Sequence, residues 1–177
     1  MRTLQNSAWP SVLAASTIAG SLAIACMMPF VALAVVVAAS MPARQAVFTV
    51  TAIVAANQAI GFAFLGFPAD GYTIAWGAAL WGASLASLAT ARLIVGPSPD
   101  LSATRIALAS LAAFAAYEAL LYAFATQVGG IETFTPAIIM QLAQNEALWL
   151  LTLVTLRLLV TGAAPAIFGA QPRLRLA

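Results

Sequence analysis

Apolar residues run along this chain in blocks, at about residues 8 to 40, 43 to 66, 72 to 94, 103 to 127 and 136 to 161, separated by short stretches rich in Pro, Gly, Ser and Asp. A hydrocarbon core of about 30 Å takes about 20 helical residues, so blocks of this length with few charges predict membrane-crossing helices. The first block is too long for one crossing. As a straight helix it would run roughly 50 Å, and it contains Pro29, which removes a helical hydrogen bond and clashes with the preceding turn. Splitting it there gives an all-α, polytopic membrane helix bundle of six transmembrane helices at about 8–26, 29–41, 43–66, 72–94, 103–127 and 136–161. The whole chain, 1–177, is then one integral membrane domain. Five spans result if residues 8–41 form one long kinked helix.

Composition narrows the class further. The chain is 63% hydrophobic and 7% charged, against about 25% charged residues in ordinary soluble domains, which leaves too little polar surface for life in water and no room for a separate aqueous domain. Arg2 is the only charge ahead of the first block and apolar segments continue to residue 161, so that block is expected to be a retained span and not a cleaved signal peptide. Every basic residue is an arginine. With six spans Arg2, Arg44, Arg92, Arg105, Arg157, Arg173 and Arg175 all fall on one side, while the opposite connections hold Asp70 and Glu132. Short cytoplasmic loops collect Lys and Arg, which predicts cytoplasmic termini in a bacterial inner membrane. The arginines are scattered and form no stripe, so nucleic-acid binding has no support. There is no histidine, and Cys26 is the only cysteine, which removes internal disulfides, Cys/His zinc sites and histidine-ligated haem. No nucleophile elbow, Walker loop, zinc-protease motif or dinucleotide fingerprint occurs. An enzyme and a bound cofactor are not expected.

Polar groups at bilayer depth are costly and tend to face the bundle interior or a water-filled cavity. Here they fall at a common level, in the half of the membrane away from the arginines. Span three carries Asn57 and Gln58, span four Tyr72 and Trp76, span five Glu118 and Tyr122, and span six Gln141, Gln144, Asn145, Glu146 and Trp149. On span six, Gln141, Gln144 and Asn145 share a face, with Glu146 turned about 100° from Asn145. Convergent polar groups among aromatic walls are what a small-molecule site requires. The plainer alternative is that the amides tie helices together and that Phe67, Tyr72 and Trp76 form an interfacial belt. Small residues recur at helical spacing in Ala15, Ala19 and Ala23, in Ser16 and Gly20, and in Ala78, Gly82 and Ala86, a pattern that serves packing within the chain or docking of a membrane partner. Cys26, beside Met27 and Met28, reads either as a buried inert thiol or as a thiolate ligand to a metal centre.

Six short spans in an 18.2 kDa chain, both ends on the arginine side, the Ala15–Ala19 pair and an outward polar site together resemble the substrate-binding S-component of an energy-coupling factor vitamin transporter. The resemblance is architectural and covers the whole chain. It implies capture of a small water-soluble vitamin and its delivery by toppling in the membrane, driven by a transmembrane coupling subunit with ATPases, with Ala15 and Ala19 at the position of the family's docking pattern. Some members are solitary, and in one cobalamin-binding branch a cysteine meets the corrin cobalt. This makes a corrinoid the first expectation, with Cys26 as the metal ligand. Glu118 and Glu146 better suit a cation such as thiamine. Two other classes remain: a proton- or ion-coupled transporter built on Glu118 and Glu146, and a non-catalytic subunit of a larger membrane complex.

Overall fold

Punctuation in the sequence sets the helices. In the computed structural model, which describes residues 2–23, 28–97, 100–169 and 172–175, α1 spans Arg2–Ala23, α2 Phe30–Ser40, α3 Ala43–Phe64, α4 Gly71–Ile94, α5 Ala103–Val128, α6 Pro136–Ala163 and α7 Pro165–Phe168. Three of the starts are capped by short polar side chains. The Asp70 carboxylate accepts the Thr73 N–H at 2.8 Å, and the Ser102 and Thr135 hydroxyls each accept an N–H at 3.3 Å, satisfying donors that an α-helix leaves open in its first turn. Prolines stand at the start of α6 and α7, where their missing N–H costs nothing. At its other end α5 stops on Gly129 and Gly130, with φ of 99° and 101°, a conformation that glycine adopts without penalty.

The fold is a helical membrane bundle. Four helices, α3 to α6, are long and apolar enough to cross a membrane, and their outward positions carry large apolar side chains such as Leu93 (89% exposed), Phe64 (82%) and Phe48 (73%). In water such a surface would drive aggregation; against lipid tails it is at no disadvantage. The break expected at Pro29 is present, with that residue at the N-terminus of α2. At 11 residues, α2 is about 16 Å long, half of a hydrocarbon core. Its residues from Phe30 to Ala39 are all buried, because α2 runs through the middle of the bundle in contact with α3, α4, α5 and α6.

Consecutive long helices of the chain alternate in direction, and this sorts the polar groups to opposite ends. At one end Arg92 donates to the Met41 carbonyl at 3.0 Å and Arg105 to the Ile94 carbonyl at 2.9 Å, placing cations on the carbonyls that terminate α2 and α4. The Arg157 guanidinium lies 4.8 Å from the centre of the Trp9 ring, and the Trp9 indole N–H donates to Ser40 at 3.0 Å. A two-stranded parallel patch, β1 (Asp100–Ser102) with β2 (Arg173–Arg175), leads into α5 at that same end. Neither three-residue segment carries an alternating pattern long enough to predict this pairing.

Small residues do let α4 and α5 approach, though the row is not the expected one. Ala78 and Gly82 are exposed, and a methyl group at Gly82 would meet nothing within 4 Å. The packed row is Ala83, Ser87 and Ala91 against Ala109 and Ala113, with the Ser87 hydroxyl donating to the Ala113 carbonyl at 3.0 Å. On α1, Ala15 and Ala19 are exposed.

Candidate functional site

At the arginine-free end the bundle opens into a cavity of about 450 Å³. Its floor is the start of α2, where Met28 and Phe30 are buried. Three helices each contribute a stripe at the i, i+3/i+4, i+7 spacing that puts side chains on one face: Thr73, Trp76, Gly77 and Leu80 from α4; Phe114, Tyr117, Glu118 and Leu121 from α5; and Ile138, Leu142, Asn145 and Glu146 from α6. The last turns of α3 add Asn57 and Gln58. Two connections close the mouth. Between α3 and α4 the chain turns back so that the Phe67 N–H reaches the Gly61 carbonyl at 3.1 Å, and the Phe67 ring sits where a Gly61 methyl would come within 2.6 Å of it. Between α5 and α6 the turn at Ile131–Thr133 brings Thr133 and Phe134 to the opposite rim.

The polar groups differ in how they are occupied. Glu146 is buried (8% exposed), and its carboxylate accepts the Ala32 N–H at 2.7 Å and the Val31 N–H at 3.4 Å. It therefore caps the N-terminus of α2 from a different helix. Pro29 supplies no side-chain cap, and within a bilayer an unsatisfied backbone N–H costs several kcal/mol, so this carboxylate serves the Val31 and Ala32 donors of the central helix. Asn57, Gln58, Glu118 and Asn145 also line the cavity, and none of them forms a hydrogen bond among the described residues. Among the described residues these amides therefore make no interhelical hydrogen bond. Gln58 reaches across to α4 because position 77 is glycine: a methyl there would lie 3.0 Å from the Gln58 Oε1. No arginine reaches this space, so two carboxylates face it without a countercharge among the described residues.

Aromatic side chains make up much of the wall. Trp76 stacks edge-to-face on Phe124 at 5.1 Å and on Tyr72 at 6.4 Å, and Gly130 lies so close that an added methyl would be 3.0 Å from the indole. The Trp76 indole N–H is buried without a hydrogen-bond partner among the described residues. Phe134 stacks edge-to-face on Tyr122 at 5.4 Å.

Five of the residues selected from sequence therefore meet: Asn57, Gln58, Trp76, Glu118 and Asn145 all line the cavity. Tyr72 and Tyr122 stand behind its wall as supports for Trp76 and Phe134, and both are exposed on their outer side. Trp149 is buried one turn beyond Asn145, outside the lining. Gln141 and Gln144 are exposed and do not reach the cavity, whereas Glu146, expected about 100° around the helix from Asn145, does. The face of α6 toward the bundle is the one through Leu142, Glu146, Trp149 and Leu153. Phe114, Tyr117, Thr133 and Phe134 were not selected from sequence; the i−4 relation of Phe114 to Glu118 was the available signal for the first of them. Cys26 lies outside the described residues, and no group of three or more metal-ligating side chains comes together among the described ones. In comparisons with known proteins, no family model, no curated protein and no solved structure matches this chain.

Proposed function

We propose that this chain is a membrane-embedded binding component for the uptake of a small water-soluble organic cation of thiamine-like size, entering from the arginine-free side. The observation that carries this is the set of unoccupied polar side chains, Asn57, Gln58, Glu118 and Asn145, around an aromatic cavity that contains carboxylates and no arginine. Aromatic faces and carboxylates attract a cation together, and amides fix the orientation of a polar ring. A volume of about 450 Å³ falls in the lower part of the range for small-molecule pockets, about 300–1,000 Å³. That favours a single-ring or two-ring ligand over a corrinoid, and the thiol on which a corrinoid site would depend lies outside the described residues.

The arginine asymmetry supports six crossings with both termini in the cytoplasm of a bacterium, α2 serving as the short inner one. Transport as an S-component would require a membrane coupling subunit and ATPases, and the exposed Ala15 and Ala19 on α1 are the surface this function gives to that partner. Native mass spectrometry of the purified protein with thiamine and with cobalamin tests the proposal. Thiamine is expected to be retained and cobalamin not. A chain that keeps neither, yet carries a stoichiometric membrane partner, is instead a subunit of a larger complex.

A further inference from the structure

We propose that the two carboxylates of the cavity divide the work: Glu118 selects the charge of the ligand, and Glu146 is a positioning residue that holds α2 at the height where it forms the cavity floor. The division rests on the binding function proposed above and on the unequal occupancy of the two groups.

Glu146 is already engaged, since both of its oxygens face N–H groups of the first turn of α2. Among the described residues those donors have no other acceptor. The Phe30 N–H is taken by the Met28 carbonyl and the Leu33 N–H by the Pro29 carbonyl, so Val31 and Ala32 are the two positions where α2 needs an outside group. The positive end of the helix dipole reinforces the contact. A ligand that took Glu146 for itself would draw the acceptor away from these buried N–H groups, at the cost of leaving them unpaired. Glu118 stands differently: it lines the same space, is half-buried on the facing α5, and has no partner among the described residues. The polar groups that line the cavity with it are Asn57, Gln58, Asn145 and Glu146 from other helices and Tyr117 from its own, none of them cationic. Among the described residues that line the cavity, the free carboxylate an incoming cation meets is Glu118.

The test compares thiamine with 3-deazathiamine, in which the cationic thiazolium is replaced by a neutral thiophene, on the full-length protein in nanodiscs, alongside amide hydrogen exchange at Val31 and Ala32. Wild type is expected to prefer thiamine by at least about thirtyfold, the lower end for a desolvated charge pair. Glu118→Gln is expected to bring that ratio near one and leave exchange at Val31 and Ala32 unchanged. Glu146→Gln is expected to weaken both ligands while keeping their ratio, and to accelerate exchange at Val31 and Ala32. Glu146→Asp, which keeps the charge on a shorter arm, supplies the same comparison if the Gln variant does not fold. Loss of the ratio in the Glu146 variant but not in the Glu118 variant overturns the division. So does unchanged exchange at Val31 and Ala32 without Glu146. If wild type binds neither compound, the binding function fails, and the exchange measurement still decides the role of Glu146.

Discussion

Two glycines show how single positions shape the cavity without contributing a functional group. At Gly77 a methyl would sit 3.0 Å from the end of the Gln58 side chain, a flexible group that can swing away. Gly77→Ala is therefore expected to leave thermal stability unchanged or raise it, by up to about 1 kcal/mol from helix propensity, while weakening thiamine about tenfold, the equivalent of one misplaced hydrogen bond. Titration calorimetry beside a melting curve separates the two effects. At Gly61 the obstacle is the Phe67 ring at 2.6 Å, which has to leave its seat, so Gly61→Ala should increase protease access to the 65–70 connection. Asp70 offers a pH test outside the spans. The Thr73 backbone N–H, and then the Thr73 hydroxyl, favour its charged form and hold its carboxyl below the ordinary 3.8. Because the folded value is depressed, its stabilising effect is present above the unfolded value and is lost as pH falls through the folded one. Asp70→Asn, which still caps the helix, should therefore lose less melting temperature than wild type between about pH 5 and about pH 3.

At the scale of elements, hydropathy located the helices well and their rotation poorly. Depth is visible because lipid tolerates only apolar side chains while the ends meet water, and so the common level of Asn57, Glu118 and Asn145 could be read in advance. Rotation is hidden because the face toward lipid and the face toward the bundle are both apolar. On α6 this put Gln141 and Gln144 in the site, where the structure leaves them exposed, and passed over the buried Glu146. On α4 it put the packing row at Ala78, Gly82 and Ala86 when the buried one is Ala83, Ser87 and Ala91. The closing of the mouth by Phe67 and Phe134 was not legible either, since a connection's return over its own helix leaves no periodic trace. The α4–α5 contact gives a direct check: Ser87→Ala removes the hydroxyl that donates from α4 to the Ala113 carbonyl of α5. It should cost about 1 kcal/mol in an unfolding titration, more than Ser→Ala at a lipid-facing position.

Over the whole molecule, the ends are unlike, and that difference can be read from outside a cell. In a Cys26→Ala background, cysteines at Ala69 and Gly129 should react with a membrane-impermeant maleimide added to intact cells, whereas one at Arg44 should react only after lysis. The reverse pattern would invert the proposed orientation. The bundle is also organised around a helix that has no outside. Every residue of α2 from Phe30 to Ala39 is buried, while on α5 burial recurs at Ile106, Ala109, Ala113, Tyr117, Leu121 and Ala125. In a saturation mutagenesis screen, α5 should therefore alternate between tolerant and intolerant sites every three to four positions. Across α2 the tolerance should stay low at every position, and a short apolar segment of unremarkable composition would rank as the most constrained stretch of the chain.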